Sequence, residues 1–283
     1  MTTPLATALV PPLTRLAGIL GIRRRVPPGR VAIVRLYGPI AGAGRTTEWI
    51  ETLRHLRDSK RVPAVVIDVD SGGGSAAASD DMFLAVERLA AVKPVVAAIR
   101  GTGASGAYLA VLGARRIFAN PSAIIGSIGV IAAGPRVPRL LDRVGVSVAE
   151  TRAGRLKGMG AAWRDETPEE HEKEQQLVDD IYTRFVARVA RGRNLTDERV
   201  RELATGEVWL GDRALELGLV DEIGDLERAV EVAAAMARVP AKSAPVRLRR
   251  PLIGRLVDRF ASRVARSLAD EIELRAGDRW RLG

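Results

Sequence analysis

The sequence predicts an α/β fold, and three observations carry that expectation. Short β-branched runs fit for buried strands recur through the first half of the chain. Most of these runs lead into a glycine-rich or turn-forming loop, and most of the loops lead into a segment with apolar residues at helical spacing. Apolar residues make up 47% of the 283 and charged residues 28%, a composition that buries a core and does not describe a disordered chain.

The elements follow in order. Val31 to Tyr37 is the first strand, closed by Gly38-Pro39. Thr46 or Thr47 is placed to cap a helix whose inner face holds Trp49, Ile50, Leu53 and Leu56. Ala64 to Val69 is the second strand, and the glycine loop Ser71-Gly72-Gly73-Gly74-Ser75 follows at once. Ser79-Asp80-Asp81 is expected to start a helix with Phe83, Val86, Leu89 and Ala90 inward. Pro94 to Ile99 is the third strand, Ala104 to Leu112 a small apolar helix, and Ile117 to Ala119 a short strand. Glu166 to Arg191 reads as a long helix with Leu177, Ile181, Phe185 and Val189 on one face. Thr196 caps a short helix, Asp225 starts another through Ala235, and Pro240 to Pro245 is a linker. Beyond Pro251, Leu252, Leu256, Phe260 and Leu268 form an apolar stripe among arginines.

Charge divides the chain into three parts. Residues 1–30 form a basic leader at +5 and residues 239–283, the linker and a basic amphipathic helix, carry +6. The 208 residues between them sum to −1, so the working domain, 31–238, lacks the excess expected of a nucleic-acid enzyme. The two ends suit peripheral contact with an anionic membrane surface or docking on a subunit. No transmembrane helix is expected, because Leu5 to Ile22 is broken by Pro11-Pro12 and carries Arg15. The expected location is the cytoplasm or the face of the cytoplasmic membrane.

The absence of cysteine and the presence of only two histidines, His55 and His171, argue against a metal centre, and no cofactor is called for. The triple glycine lacks both the dinucleotide and the phosphate-loop spacing. A glycine turn of this kind exposes N–H groups that suit an anion or the oxyanion of acyl transfer, and it also serves as a plain turn. Ser105, in Gly101-Thr102-Gly103-Ala104-Ser105-Gly106-Ala107, is either a helix N-cap or a nucleophile at a strand end. Lysines are few, and Lys157 lies in a glycine-bounded segment, 154–160, with no acid before Asp165. Arginine cannot act as a base and a desolvated lysine can, so Lys157 is the better partner for a serine.

These segments resemble the S49 serine peptidases, the bacterial signal peptide peptidases within the ClpP/crotonase-like superfamily. Asp68-Val69-Asp70-Ser71-Gly72-Gly73-Gly74 is similar to the family's strand and Ser-Pro-Gly-Gly, with Gly72 where proline is usual. Gly103-Ala104-Ser105-Gly106-Ala107-Tyr108 resembles the nucleophile segment, and Gly154 to Gly160 the base segment, fifty-two residues separating Ser105 from Lys157. Gly126-Ser127-Ile128-Gly129-Val130 and Leu210 to Asp221 resemble two further signatures. The resemblance implies a ClpP/crotonase-like fold with repeated β-β-α units and additional C-terminal helices. It implies a serine endopeptidase with Ser105 as nucleophile, Lys157 as base and Ser127 orienting the lysine. The N–H groups of Gly73 and Gly106 would hold the oxyanion, with Gly74 as the alternative to Gly73. Peptide bonds in signal-peptide-like or other apolar peptides are the implied substrate, and a homo-oligomeric ring, tetramer or octamer, the implied assembly, with serine and lysine able to come from neighbouring subunits. Two other classes stay open on the residues alone: an inactive ring-forming scaffold of this fold, and a crotonase-like acyl-CoA enzyme.

Overall fold

Strand β1 (Val31–Tyr37) pairs in parallel with β2 (Val65–Ser71), Ala32 opposite Val65 and Tyr37 opposite Asp70, in a computed structural model describing residues 26–41 and 44–246. Helix α1 (Arg45–Asp58) links them, and α2 (Ala76–Ala90) links β2 to β3 (Val95–Ala104). Then come α3 (Gly106–Val111), β4 (Arg116–Ala119), β5 (Ile124–Gly126), α4 (Pro138–Arg143), α5 (Pro168–Arg193) and α6 (Asp197–Leu203). The chain continues through β6 (Val208–Leu210), α7 (Gly211–Glu216), β7 (Glu222–Ile223), α8 (Leu226–Ala237) and β8 (Ser243–Pro245). The sheet order is β6-β5-β3-β2-β1-β8, with β4 beside β3 and β7 beside β4. Every pairing is parallel except β5 with β6.

Burial on both faces explains the near-continuous apolar strands. On one face Val31, Ile33, Val66, Val96 and Ala98 pack against Ala229, Val230 and Ala233 of α8. The intervening residues Val34, Leu36, Ile67, Val69 and Ile99 are equally buried, and Trp49, Leu53, Met82, Phe83 and Val86 of α1 and α2 supply buried apolar surface from the connecting helices.

Several boundaries differ from the sequence reading, each for a local reason. Helix α1 starts at Arg45 after Gly44 (φ 72°), so Thr46 is buried within the first turn and does not cap it. Helix α2 begins three residues before Ser79, which leaves Ser79 buried with its hydroxyl donating to the Ser75 carbonyl at 2.8 Å. Strand β3 runs five residues past Ile99. Its glycines looked like a loop, yet Thr102, Gly103 and Ala104 pair with Ile124, Ile125 and Gly126. The register with β2 slips between Val69–Ile99 and Ser71–Gly103, an irregularity that the Asp70 carboxylate caps by accepting the Thr102 N–H at 3.1 Å. Helix α3 starts at Gly106, not Ala104. In α5, Phe185 and Val189 are buried, while Leu177 and Ile181, read as the same inner face, are exposed. The linker Pro240 to Pro245 contains β8, which pairs with Val31 to Ile33.

The expected leader and C-terminal helix fall outside the described residues, apart from 26–30 and 239–246. Among the described residues no helix is long and apolar enough to cross a membrane.

Candidate active site

Ser105 occupies the turn between β3 and α3 with φ 52° and ψ −127°, a left-handed conformation that a non-glycine residue adopts at a cost of about 1–3 kcal/mol. Its backbone is held there from both sides. The Ser105 N–H donates to the Gly126 carbonyl at 2.8 Å, and its carbonyl accepts the Leu109 N–H at 3.0 Å. The side chain makes no capping hydrogen bond, so the plain N-cap reading is not realised. A strained strand-to-helix turn that leaves a serine hydroxyl free is the geometry of an exposed nucleophile.

The glycines beside it are fixed by close backbone approach. Gly74 bridges to Ile40: the Ile40 N–H donates to the Gly73 carbonyl and the Ser75 N–H to the Ile40 carbonyl, both at 2.8 Å. In a parallel bridge of this kind the N–H of the central residue points away from the paired segment. A Cβ on Gly74 would stand 2.1 Å from the Ile40 carbonyl oxygen, and one on Gly73 2.5 Å from the Gly106 nitrogen. A Cβ on Gly106 would lie 2.1 Å from Ser79 Oγ and 3.3 Å from the Gly74 nitrogen. The Gly73 N–H donates to Ser71 Oγ at 3.2 Å, whereas those of Gly74 and Gly106 have no acceptor among the described residues.

These groups open on one cleft of about 1070 Å³, to which Gly74, Ser105, Gly106 and Ser127 all contribute. Ser127 follows the carbonyl that holds Ser105, and its own φ is 49°, with its N–H donating to the Glu207 carbonyl at 2.7 Å. Leu109, Ile131, Leu177, Ile181 and Phe185 give the cleft apolar walls. Asp80 and Arg188 face each other in it at 3.2 Å, the guanidinium lying 4.3 Å from the centre of the Phe83 ring. Periodicity signalled the α5 stripe but assigned Leu177 and Ile181 to the core. The sequence offered no sign of the Ile40 bridge or of the Ser79 contact, because both depend on backbones that meet only in the fold.

Lys157 is placed elsewhere. It sits on an exposed turn bounded by Gly154 (φ 98°) and Gly160 (φ 81°), its ammonium group unpartnered among the described residues, and it does not line the cleft. The burial that sequence reasoning attached to this lysine is therefore absent within one chain. Ser105, Ser127, Gly74 and Gly106 are brought together; Lys157 is not.

The layered parallel sheet, with a serine turn at the end of its central strand, defines a ClpP-like α/β protein. A ClpP1 mutant from Listeria monocytogenes superposes with a TM-score of 0.50 at 17% identity, covering 70% of this chain and 93% of its own. The sequence pattern of peptidase family S49 matches residues 87–240, and the chain belongs to that family of serine-type peptidases. It is 38% identical over 208 residues to slr0021 of Synechocystis sp., named for an inferred protease activity, covering 74% of each chain. It is 34% identical to the chloroplastic serine protease SPPA of Arabidopsis thaliana and 34% identical to protease 4 of Salmonella typhi. Those matches cover 74% and 75% of this chain but only 32% and 35% of the relatives' own lengths.

Proposed function

We propose that the chain is an endopeptidase that cleaves extended apolar peptides, signal-peptide-like segments among them, through an acyl-enzyme on Ser105. The observation that carries this reading is the strained Ser105 turn opening on an apolar-walled cleft, with two unpaired N–H groups beside it. Ser105 Oγ attacks the scissile carbonyl while a base removes its proton. The developing oxyanion is met by the N–H groups of Gly74 and Gly106, two residues that line the same cleft and whose N–H groups have no competing acceptor among the described residues. Gly74 replaces Gly73 in this role because the Gly73 N–H is engaged by Ser71 Oγ. Lys157 acts as the base and returns the proton to the leaving amine, with Ser127, at the rim beside Ser105, orienting it. The exposed position of Lys157 supports its delivery from a neighbouring subunit of a ring.

The test is hydrolysis of an apolar peptide by protein purified free of host proteases. Ser105→Ala should lower kcat/KM at least about 10³-fold with fold and assembly intact. Lys157→Arg keeps the charge but supplies no base, so it should be nearly as inactive as Lys157→Ala. Comparable turnover by S105A would sink the nucleophile assignment. A folded K157R enzyme retaining more than about a tenth of wild-type kcat/KM would remove the lysine from the mechanism.

A further inference from the structure

Two arginines join the Lys157 turn to the start of α5: the exposed Arg155 pairs with Glu169 at 2.7 Å, and Arg164 links the turn to the buried Glu170. Arg164 Nη2 donates to the Gly158 carbonyl at 2.8 Å and to Glu170 Oε1 at 2.6 Å, while Nη1 donates to Glu170 Oε2 at 2.8 Å. Glu170 is 2% exposed and closes the α5 capping box, accepting the Thr167 N–H at 3.0 Å while Thr167 Oγ1 accepts the Glu170 N–H at 3.2 Å. Hydrogen bonds from Arg164 first, and from the Thr167 backbone second, hold its carboxyl down at about 2, so the pair stays charged wherever a peptidase works.

The other side of the turn is enclosed as well. Arg152 reaches Glu150 at 3.3 Å, and Glu150 accepts the Trp163 indole N–H at 3.3 Å. Arg152 Nη1, Arg164 Nη2 and Glu150 Oε1 all crowd the Gly158 α-carbon, a Cβ there coming within 2.5 Å, 2.7 Å and 2.7 Å of them. The turn's own bonds are short-range: Lys157 N–H to Gly154 at 3.1 Å and Met159 N–H to Leu156 at 3.0 Å. The capping box needs only Thr167 and Glu170. The additional bond from Arg164 to Gly158 reaches past the helix end to the turn.

We propose that Arg164 and Glu170 are positioning residues, a clamp that fixes the lysine turn against α5 so that Lys157 is presented to its serine in one geometry. The proposal rests on the Ser-Lys reading above. An arginine suits the task because its planar fork holds both carboxylate oxygens while a third N–H bond is directed at the turn.

The experiment compares Arg164→Gln, Arg164→Lys and Glu170→Gln in the full chain, alone and, for Arg164→Gln, combined with Lys157→Ala. Each single variant should lower kcat on an apolar chromogenic peptide at least about tenfold, with KM within about twofold and mass in solution unchanged. Arg164→Lys keeps the charge without the fork and should not recover kcat. Backbone amides of 154–160 should exchange faster with solvent, and Arg164→Gln should not further lower the residual rate of K157A. The proposal is overturned if R164Q keeps more than about half of wild-type kcat while K157A is inactive, or if R164Q lowers the K157A rate by its full factor again. A K157A enzyme of near wild-type rate sinks the Ser-Lys reading instead, and the clamp then stands or falls on the exchange of 154–160. Should R164Q fail to fold, Glu170→Gln, which preserves side-chain length at the cap, decides the matter by the same exchange measurement, unchanged protection overturning the clamp.

Discussion

At Ser105 the backbone conformation and the chemistry make opposite demands. A glycine would adopt φ 52° without strain, but it could not serve as the proposed nucleophile, which accounts for a strained residue here. Ser105→Gly should therefore be more stable than Ser105→Ala by about 1 kcal/mol in urea unfolding, both being inactive. Equal stability would mean the turn carries no strain. A second polar group behaves differently. The Asp68 carboxylate is fully buried in β2, where Oδ2 accepts the Tyr37 hydroxyl at 2.5 Å and an Arg100 N–H at 2.6 Å. Burial first, and the bond to Asp68 second, push the Tyr37 phenol up to about 12. The folded state thus favours neutral tyrosine while the unfolded chain ionises at about 10. This contribution is complete below about pH 10 and is lost as pH rises toward 12. Tyr37→Phe should accordingly flatten the fall in unfolding free energy between pH 9 and about 11.5 relative to wild type. An identical slope in the two proteins would contradict the assignment.

Helix α5 is a single element with two roles along its length. The capping box at Thr167 and the buried Phe185 and Val189 anchor it, while Leu177 and Ile181, 43% and 37% exposed, line the cleft. Truncating an exposed side chain changes stability little, whereas removing a wall from an apolar cleft weakens binding of an apolar side chain by about 1–3 kcal/mol. Leu177→Ala and Ile181→Ala should each shift unfolding by less than about 0.5 kcal/mol and raise KM for apolar peptides several-fold. A stability loss of about 3 kcal/mol with unchanged KM would return these residues to the core, as their four-residue spacing with Phe185 and Val189 first suggested. The same reasoning explains why helix periodicity misassigned them. Spacing identifies an apolar stripe, but burial depends on what the rest of the fold places opposite each turn.

For the whole molecule, the proposed dyad requires Lys157 to come from another chain, because within one chain it does not line the Ser105 cleft. The segment that carries it displays apolar side chains to solvent in the single chain, with Ile131 88% exposed and Leu140, Val144, Val146 and Val148 exposed as well. A neighbouring subunit covering that surface would bring the lysine turn with it. Co-assembling Ser105→Ala with Lys157→Ala chains separates the two arrangements. If each site combines serine and lysine from different chains, random mixing restores about a quarter of the sites. If both come from one chain, none are restored. The rate measured against mixing ratio distinguishes these outcomes, and a flat, inactive series would rule out shared sites.

Sequence by itself determined the alternation of strand, glycine loop and helix, because strand and helix periods are written in local patterns of apolar residues. It also singled out Ser105 and Lys157 as candidates, since a serine between glycines and a rare lysine between others stand out without any fold. Tertiary structure alone decided the rest. The bridge that fixes Gly74 is to Ile40, a contact across thirty-four residues of sequence, and only the fold shows that the Gly73 N–H donates to Ser71 Oγ while that of Gly74 has no acceptor among the described residues. The extension of β3 through Gly101 and Gly103 was set by the pairing strand β5, not by the residues' own preferences. The separation of Lys157 from the cleft had no local signal, because sequence interval fixes contour length and leaves direction in space to the packing of α5 and the turn it holds.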